Sequence, residues 1–282
     1  MILHAQNWGP KNANAGDSNH DANHAKKNRI VLLHGMGGTG GIWRPVAAVL
    51  EDAFEILAPD QRGHGKSRLD NSRGDFSPMN YGRDVVDTMD ARDFHPAVLV
   101  GHSMGVRTAC AVAHLQPQWV AGLVLIDLGL SGPAGGGIGD SLSSFIGDLA
   151  LEYPDRAAAR AFLDARCPDP SIAQYLLAVS ITNLSTGKVT FPFDSEALLK
   201  TIDAAKHADL RPWIQEAAQR GTRILMLRGE RSLVWKRSDF ERERESFAHF
   251  SSIQWIEIPG TGHGLPFEKR QELATLLRTQ FS

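Results

Sequence analysis

The sequence has few cysteines, no long apolar run and no excess of one charge. Its two cysteines, Cys110 and Cys167, lack the spacing of a disulfide framework or a metal site, which is typical of reduced thiols in a cytoplasmic protein. Nowhere do about 18 apolar residues follow one another, and the N-terminus has no cationic start followed by an apolar stretch. A membrane span and a standard export signal are therefore not expected.

Charge is balanced along the chain. The 30 basic and 32 acidic residues leave a formal net charge of -2, so the sequence builds no strong field for nucleic acid or an anionic membrane. A small substrate, neutral or weakly charged, fits this balance better. With 282 residues, of which 42% are hydrophobic, one main domain with an insertion is the expected organisation.

Short apolar runs recur from Arg29 onward, and each ends in a glycine-rich or polar turn that precedes a helical segment. Because the runs do not alternate with polar residues, they indicate strands that are covered on both faces. Helices between such strands indicate βαβ crossovers. The pattern predicts an α/β fold with a doubly wound, mostly parallel sheet. The runs span residues 30–35, 54–60, 97–103, 123–129, 223–229 and 253–260.

The alternation of strands and helices breaks once, after Leu130. A glycine-rich stretch at 131–139 precedes three helical stretches, and the sheet pattern resumes after about residue 205. An insertion at this place would lie above the carboxyl ends of the strands, where open α/β sheets bind ligands. We therefore predict a helical cap, or lid, at 131–205 and a core domain formed by 1–130 and 206–282. The helical stretches are 141–153, 156–166 and 171–184.

The N-terminal region divides into two parts. Residues 1–9 are predicted to form an edge strand, and residues 10–28 a polar loop. His20 and His24 lie in that loop close to two aspartates, but polar loops collect such residues by chance, so no metal site is predicted.

A candidate nucleophile follows the run at 97–100. Gly101-His102-Ser103-Met104-Gly105 stands between that strand and a helical segment. A serine on so sharp a turn has a strained backbone and needs small residues two positions before and after it. The helix N-terminus would present the Met104 N–H to a developing oxyanion. We predict Ser103 as nucleophile; the alternative is a turn with only a structural role.

A glycine-rich loop, residues 34–41, follows the first buried run. Its backbone could pass close to a substrate, and the Met36 N–H could join that of Met104 to form an oxyanion hole. The competing interpretation is a phosphate-binding loop. The loop lacks both the P-loop lysine and the spacing of a dinucleotide fingerprint, so no cofactor is predicted.

Three motifs occur in a fixed order: H-G-x-G-G at 34–38, D-x-R-G-H-G-x-S at 60–67 and G-H-S-M-G at 101–105. From Arg29 to the C-terminus the chain resembles the α/β-hydrolase superfamily. The resemblance implies an eight-stranded sheet, a cap and a catalytic triad in the chain order serine, acid, histidine. The serine argues against the members that use an aspartate nucleophile, the dehalogenases and epoxide hydrolases.

The histidine of the triad is predicted to be His263, which lies in a glycine-rich loop just after the last predicted strand. The acid is less direct, because Ser232 stands where most members of the superfamily carry an aspartate. A subset that this chain resembles supplies the carboxylate from the end of the sixth strand, which here corresponds to Asp127. Glu230 and Asp239 are the alternatives.

The predicted substrate is an ester or thioester with an acyl group of small to medium size. Trp43, Phe145 and Trp235 are expected to face an apolar pocket between sheet and cap, although aromatic residues at such positions often belong to a core. The same triad would serve carbon–carbon bond hydrolysis or cofactor-free perhydrolysis. In a different class, the chain could be a receptor-like protein that binds a ligand with little turnover.

Overall fold

The main sheet contains the runs that the sequence pattern predicts as strands. The computed structural model describes residues 1–10, 28–68, 74–131 and 138–281. The strands in this part of the chain are β1 (Ala5–Trp8), β2 (Asn28–Leu33), β3 (Phe54–Pro59), β4 (Ala97–His102), β5 (Val120–Ile126), β6 (Ile181–Thr182), β7 (Val189–Thr190), β8 (Ile224–Gly229) and β9 (Ile253–Ile258).

Seven of these strands form one sheet in the order β1-β3-β2-β4-β5-β8-β9, and β6 pairs with β7 separately. The edge strand β1, predicted within residues 1–9, is antiparallel to β3, and the other pairings of the main sheet are parallel. The doubly wound sheet is thus confirmed. The strand number implied by the resemblance is corrected from eight to seven, because the described residues ahead of β2 supply only β1.

Helices cover both faces of the sheet. Successive strand residues point to opposite faces, so Val31 and Leu33 enter one apolar cluster while Ile30 and Leu32 enter the other. This double burial explains why the strands are continuous apolar runs. The described helices are α1 (Arg44–Ala47), α2 (Pro78–Asp90), α3 (Met104–Leu115), α4 (Ile138–Gly147), α5 (Arg156–Arg166), α6 (Pro170–Val179), α7 (Ser195–Lys206), α8 (Arg211–Gln219), α9 (Arg237–Ser246), α10 (Leu265–Glu268) and α11 (Arg270–Phe281).

The chain between β5 and β8 carries α4 to α8 and the β6–β7 pair. Three of its helices begin at aspartate N-caps: Asp155, Asp169 and Asp194 each accept a backbone N–H from the first turn. These helices share an apolar cluster of their own, which Met36 and Phe267 of the remaining fold also touch. The predicted helical stretches thus correspond to α4, α5 and α6, while the cap boundaries 131 and 205 stay a prediction.

Two predicted segments, the polar loop at 10–28 and the glycine-rich hinge at 131–139, lie largely outside the described residues. Within the described ranges, none of the helices combines the length and the apolar character needed to cross a bilayer.

Candidate active site

Ser103 lies on a strained turn between β4 and α3. Its backbone has φ 54° and ψ -119°, a conformation that non-glycine residues rarely adopt. A Cβ at Gly101 would lie 2.3 Å from the Gly105 carbonyl oxygen, and a Cβ at Gly105 would lie 2.3 Å from the Leu33 carbonyl oxygen. Both glycines are therefore required by close backbone contact, as the motif predicts. The partly exposed Ser103 faces the cavity described below.

His263 contacts only one of the three candidate acids in the described residues. Its Nδ1 lies 2.8 Å from Asp127 Oδ2, and Asp127 is fully buried. Glu230 is exposed and accepts the Gly260 N–H at 2.7 Å instead. Asp239 pairs with Arg242 at 2.6 Å. The geometry therefore brings Asp127 and His263 together and leaves the two alternatives elsewhere.

The Asp127 carboxylate is held by two further donors. The Ser232 hydroxyl donates to Oδ2 at 2.5 Å, and the Gly229 N–H donates to Oδ1 at 2.9 Å. Asp127 itself has φ 56°, a left-handed conformation that turns the chain at the end of β5. A buried carboxylate needs such partners, because an unpaired one would lose its hydration without compensation. Ser232, the residue that replaces the usual aspartate, thus orients the carboxylate.

His102, beside the serine, contacts the loop that carries His263. Its Nε2 lies 2.8 Å from the His263 carbonyl oxygen and donates to it. Burial lowers the pKa of His102 well below its ordinary value, so the ring is neutral at neutral pH. Its Nδ1 has no hydrogen-bond partner in the part of the chain that the structure describes. His102 thus connects the serine turn to the loop of His263 through a backbone contact.

The glycine-rich loop packs closely against the serine turn, since a Cβ at Gly35 would lie 3.3 Å from Ser103 Cβ. Met36 and Met104 both line the same cavity as the serine. In this loop the N–H groups of the two residues after Met36 are already used. Gly37 donates to His64 Nε2 at 3.0 Å, and Gly38 donates to the Gly35 carbonyl oxygen at 3.1 Å. The Met104 N–H is the first of α3 and has no intrahelical acceptor. Both residues predicted to supply oxyanion donors thus line the cavity that Ser103 faces, and their role stays a prediction.

The D-x-R-G-H-G motif holds this loop in place. His34 accepts the Gln61 N–H at 2.9 Å through Nε2, as His64 accepts that of Gly37. Burial is the largest cause that lowers the pKa of His34 to about 4 and of His64 to about 3. Both rings are therefore neutral at pH 7 and able to accept through one nitrogen. Through these hydrogen bonds the motif supports the conformation of the glycine-rich loop.

A cavity of about 440 Å³ lies between these residues and the helices of the insertion. Ser103, His263 and Trp235 all line it, and a role of Trp235 in substrate binding stays a prediction. Its apolar wall comes largely from α4, α6 and α7. The main apolar residues of that wall are Leu142, Ile146, Leu176, Leu198 and Ile202.

Two predicted substrate-binding residues do not reach the cavity. Trp43 is fully buried in the core on one face of the sheet, with its ring 5.6 Å from that of Phe267. Phe145 is buried inside the insertion, where it stacks on Phe162 at 6.2 Å. On α4 the neighbouring Leu142 and Ile146 line the cavity instead. Both predictions were wrong, because sequence spacing does not say which neighbour each helix face meets.

Sequence reasoning missed three polar residues that line the cavity. Tyr175 of α6 donates its hydroxyl to the Gly35 carbonyl at 3.2 Å and so contacts the glycine-rich loop. Glu243 of α9 is buried, and its pKa is raised to about 7, chiefly by burial. Arg107 lies one helical turn after Ser103, and this i, i+4 spacing was the available signal. No motif marks the other two residues.

Comparison with known proteins gives the family. A model of the "Alpha/beta hydrolase family" matches residues 30–276. A putative esterase/lipase of Haemophilus influenzae is 25% identical over 85% of this chain and 78% of its own. The 2-(acetamidomethylene)succinate hydrolase of Mesorhizobium japonicum is 27% identical over 72% and 70%. An uncharacterized protein of Mycobacterium tuberculosis is 37% identical over 36% of this chain, a match that spans only 29% of that relative.

Solved structures show the same fold. E-2-(acetamidomethylene)succinate hydrolase superposes with a TM-score of 0.78 at 21% identity, over 98% of this chain and 94% of that one. A marine microorganism esterase gives a TM-score of 0.76 at 18% identity over 100% of both chains. Since the family model matches most of the sequence, this chain belongs to the α/β hydrolase family.

Proposed function

We propose that the protein hydrolyses carboxylic esters or thioesters with small to medium acyl groups, with Ser103 as nucleophile, His263 as general base and Asp127 as the acid. The proposal depends above all on one observation: buried Asp127 lies 2.8 Å from His263, and His263 lines the same cavity as the strained Ser103. The names of two relatives, an esterase/lipase and a hydrolase of a succinate derivative, agree with this class.

The proposed reaction begins at the serine hydroxyl. Because Nδ1 of His263 donates to Asp127, Nε2 is free of its proton and can accept that of Ser103 as Oγ attacks the acyl carbonyl. The carbonyl oxygen becomes an oxyanion that the Met36 and Met104 N–H groups would stabilise. Collapse of the tetrahedral species breaks the acyl–oxygen or acyl–sulfur bond, and His263 returns the proton to the leaving alcohol or thiol.

Hydrolysis of the acyl-enzyme repeats these steps with water. His263 takes a proton from water as its oxygen attacks the acyl group, and then protonates Ser103 Oγ as that bond breaks. The free acid leaves and the enzyme returns to its starting state. Residues 131–205 would act as a lid over this site and supply its apolar wall.

An activity series tests the proposal. We expect p-nitrophenyl esters and acyl thioesters of increasing chain length to be turned over by the wild type and by a control, Ser251→Ala, whose exposed hydroxyl lies outside the cavity. Ser103→Ala should lose about a thousandfold or more of kcat. A fluorophosphonate should label the first two proteins only. Turnover that survives in Ser103→Ala would overturn the proposal, whereas binding without turnover or labelling in the wild type would favour a receptor-like protein.

A further inference from the structure

Arg107 lies beside the proposed nucleophile. It follows Ser103 by four residues on the helix that begins at Met104, so the two positions share one face and are about 6 Å apart along the axis. Arg107 lines the same cavity as Ser103 and His263. A group bound to Arg107 would therefore be within reach of a substrate whose carbonyl is at the serine.

The guanidinium of Arg107 has no anionic partner in the part of the chain that the structure describes. Among the described residues, no carboxylate or carbonyl oxygen accepts a hydrogen bond from it. Other arginines with little exposure are paired with carboxylates; for example, Arg62 donates to Asp84 at 2.6 Å, and Arg228 to Glu257 at 2.5 Å. Arg107 is partly exposed to the cavity, and a ligand that covered its charge without offering an acceptor would leave that charge unpaired at a cost. The unpaired Arg107 in the cavity therefore points to an anionic group of a bound ligand as its partner.

Arg107 keeps its charge. Burial lowers its pKa to about 10, which still leaves the side chain protonated at neutral pH. The planar guanidinium is well suited to a carboxylate, because it offers two parallel N–H donors to the two oxygens. A neutral ester carbonyl would match only part of this donor set.

The other charged groups that line the cavity leave an excess of positive charge. Arg242 and Asp239 compensate each other at 2.6 Å, and Lys236 is exposed at the rim. Glu243 has a pKa raised to about 7 and so carries only part of a negative charge near neutral pH. Arg107 is thus not neutralised by the rest of the lining. The cavity as a whole favours an anionic ligand.

We propose that Arg107 is a specificity-determining residue that binds a carboxylate of the substrate, so that the preferred substrates are esters or thioesters with a second, ionised carboxylate. This inference rests on the proposed function, because it takes Ser103 as the site of reaction. It revises the expectation of a neutral or weakly charged substrate, which the balanced charge of the whole chain suggested. Total charge does not report the charge inside one cavity.

Matched esters test the inference. One pair places the carboxylate on the acyl side, p-nitrophenyl hydrogen glutarate against p-nitrophenyl butyrate. The other places it on the leaving group, 4-butyryloxybenzoate against its methyl ester. We expect Arg107→Met to lower kcat/KM about 10- to 100-fold for a carboxylate-bearing ester while the neutral partner changes little. Arg107→Lys should retain part of the preference, and the pair that responds identifies the side that carries the charge.

Arg160→Met serves as the control, since it removes an equal charge from the exposed face of α5 outside the cavity. It should leave all four esters unchanged, and normal turnover of neutral esters by Arg107→Met shows that this variant is folded. The inference is overturned if the wild type shows no preference for either carboxylate, or if Arg107→Met weakens charged and neutral esters equally.

A binding measurement separates this inference from the proposed function. Ser103→Ala protein should bind monomethyl glutarate, which has one ionised carboxylate, more tightly than uncharged dimethyl glutarate in calorimetry, and the added change Arg107→Met should abolish the difference. If the wild type hydrolyses none of the esters but this difference is found, the proposed function fails while the carboxylate site stands. If esters are hydrolysed but monomethyl and dimethyl glutarate bind alike, the carboxylate site fails alone.

Discussion

The Asp127 carboxylate is held in position by hydrogen bonds from distant parts of the chain, among them one from the Ser232 hydroxyl. Its carboxylate receives hydrogen bonds from His263, Ser232 and the Gly229 N–H, all from chain segments more than a hundred residues away in sequence. The serine also accepts the N–H groups of Val234 and Trp235 at 3.2 Å, which fixes the hydroxyl that meets the carboxylate. A hydroxyl at position 232 therefore suits an acid that comes from β5, because it adds a donor where a second carboxylate would repel.

The assignment of the acid predicts a contrast between two substitutions. Asp127→Asn should lower kcat by about 10⁴-fold, because an amide favours the wrong tautomer of His263 and cannot stabilise its charged form. Glu230→Gln should change kcat little, since the exposed Glu230 carboxylate accepts the Gly260 N–H and makes no contact with His263 among the described residues. Steady-state kinetics with one neutral ester compare both variants with the wild type. Equal losses in the two would contradict the assignment.

At the scale of the element, the β4–α3 turn is built by close packing of backbone on backbone. The strand brings Gly101 against the first turn of α3, and Gly105 against the end of β2. Such contacts leave no volume for a side chain, and the strain at Ser103 persists only because its surroundings hold it. The position of the Ser103 hydroxyl therefore depends on Gly101 and Gly105, which do not line the cavity.

This packing predicts the effect of one added methyl group. Gly105→Ala should lower the free energy of unfolding by about 1–3 kcal/mol, because its Cβ would lie 2.3 Å from the Leu33 carbonyl oxygen and the neighbouring backbone must shift. Chemical denaturation measures the change, and kcat should fall as well. The control is Gly147→Ala on α4, where a Cβ would meet nothing within 4 Å. That variant should be neutral or more stable by up to about 1 kcal/mol; a similar loss in both would contradict the argument.

At the scale of the whole molecule, Glu243 connects α9 to the chain that leaves β5 toward the insertion. Its Oε1 accepts the Leu130 N–H at 3.0 Å, while Oε2 has no hydrogen-bond partner among the described residues. The carboxyl is 5% exposed, so ionising it in the folded protein is unfavourable. The junction between core and insertion thus contains a group whose charge state depends on the fold.

Stability should therefore depend on pH. Burial raises the pKa of Glu243 from 4.5 to about 7, so between these values the folded state binds more protons than the unfolded chain. The contribution of Glu243 to the free energy of unfolding is highest below pH 4.5. It falls as pH rises through 7, by about 3 kcal/mol in all. Urea denaturation from pH 5 to 8 should show this decline in the wild type and in Glu245→Gln, an exposed control. Glu243→Gln should remove it, and an unchanged slope would contradict the assignment.

The parts predicted best from sequence are those set by local backbone requirements. The apolar runs become strands because both faces are buried, and the glycines around Ser103 are needed wherever a serine turns so sharply. The direction of a side chain across a packed interface is different, since it depends on neighbours far away in sequence. That is why Trp43 and Phe145 were placed in the cavity and lie in apolar cores instead. Arg107 was missed for a related reason, because a charged residue on a helix ordinarily faces solvent.

The contact between His102 and the His263 carbonyl has a consequence for how this scaffold can change. It joins two residues 161 positions apart, and neither belongs to the stretch between β5 and β8. Recombination that exchanged that stretch for one from another protein would keep the hydrogen bond between the serine turn and the loop of His263. Substrate specificity could thus change by exchange of the insertion, while the contact between the serine turn and the histidine loop is retained.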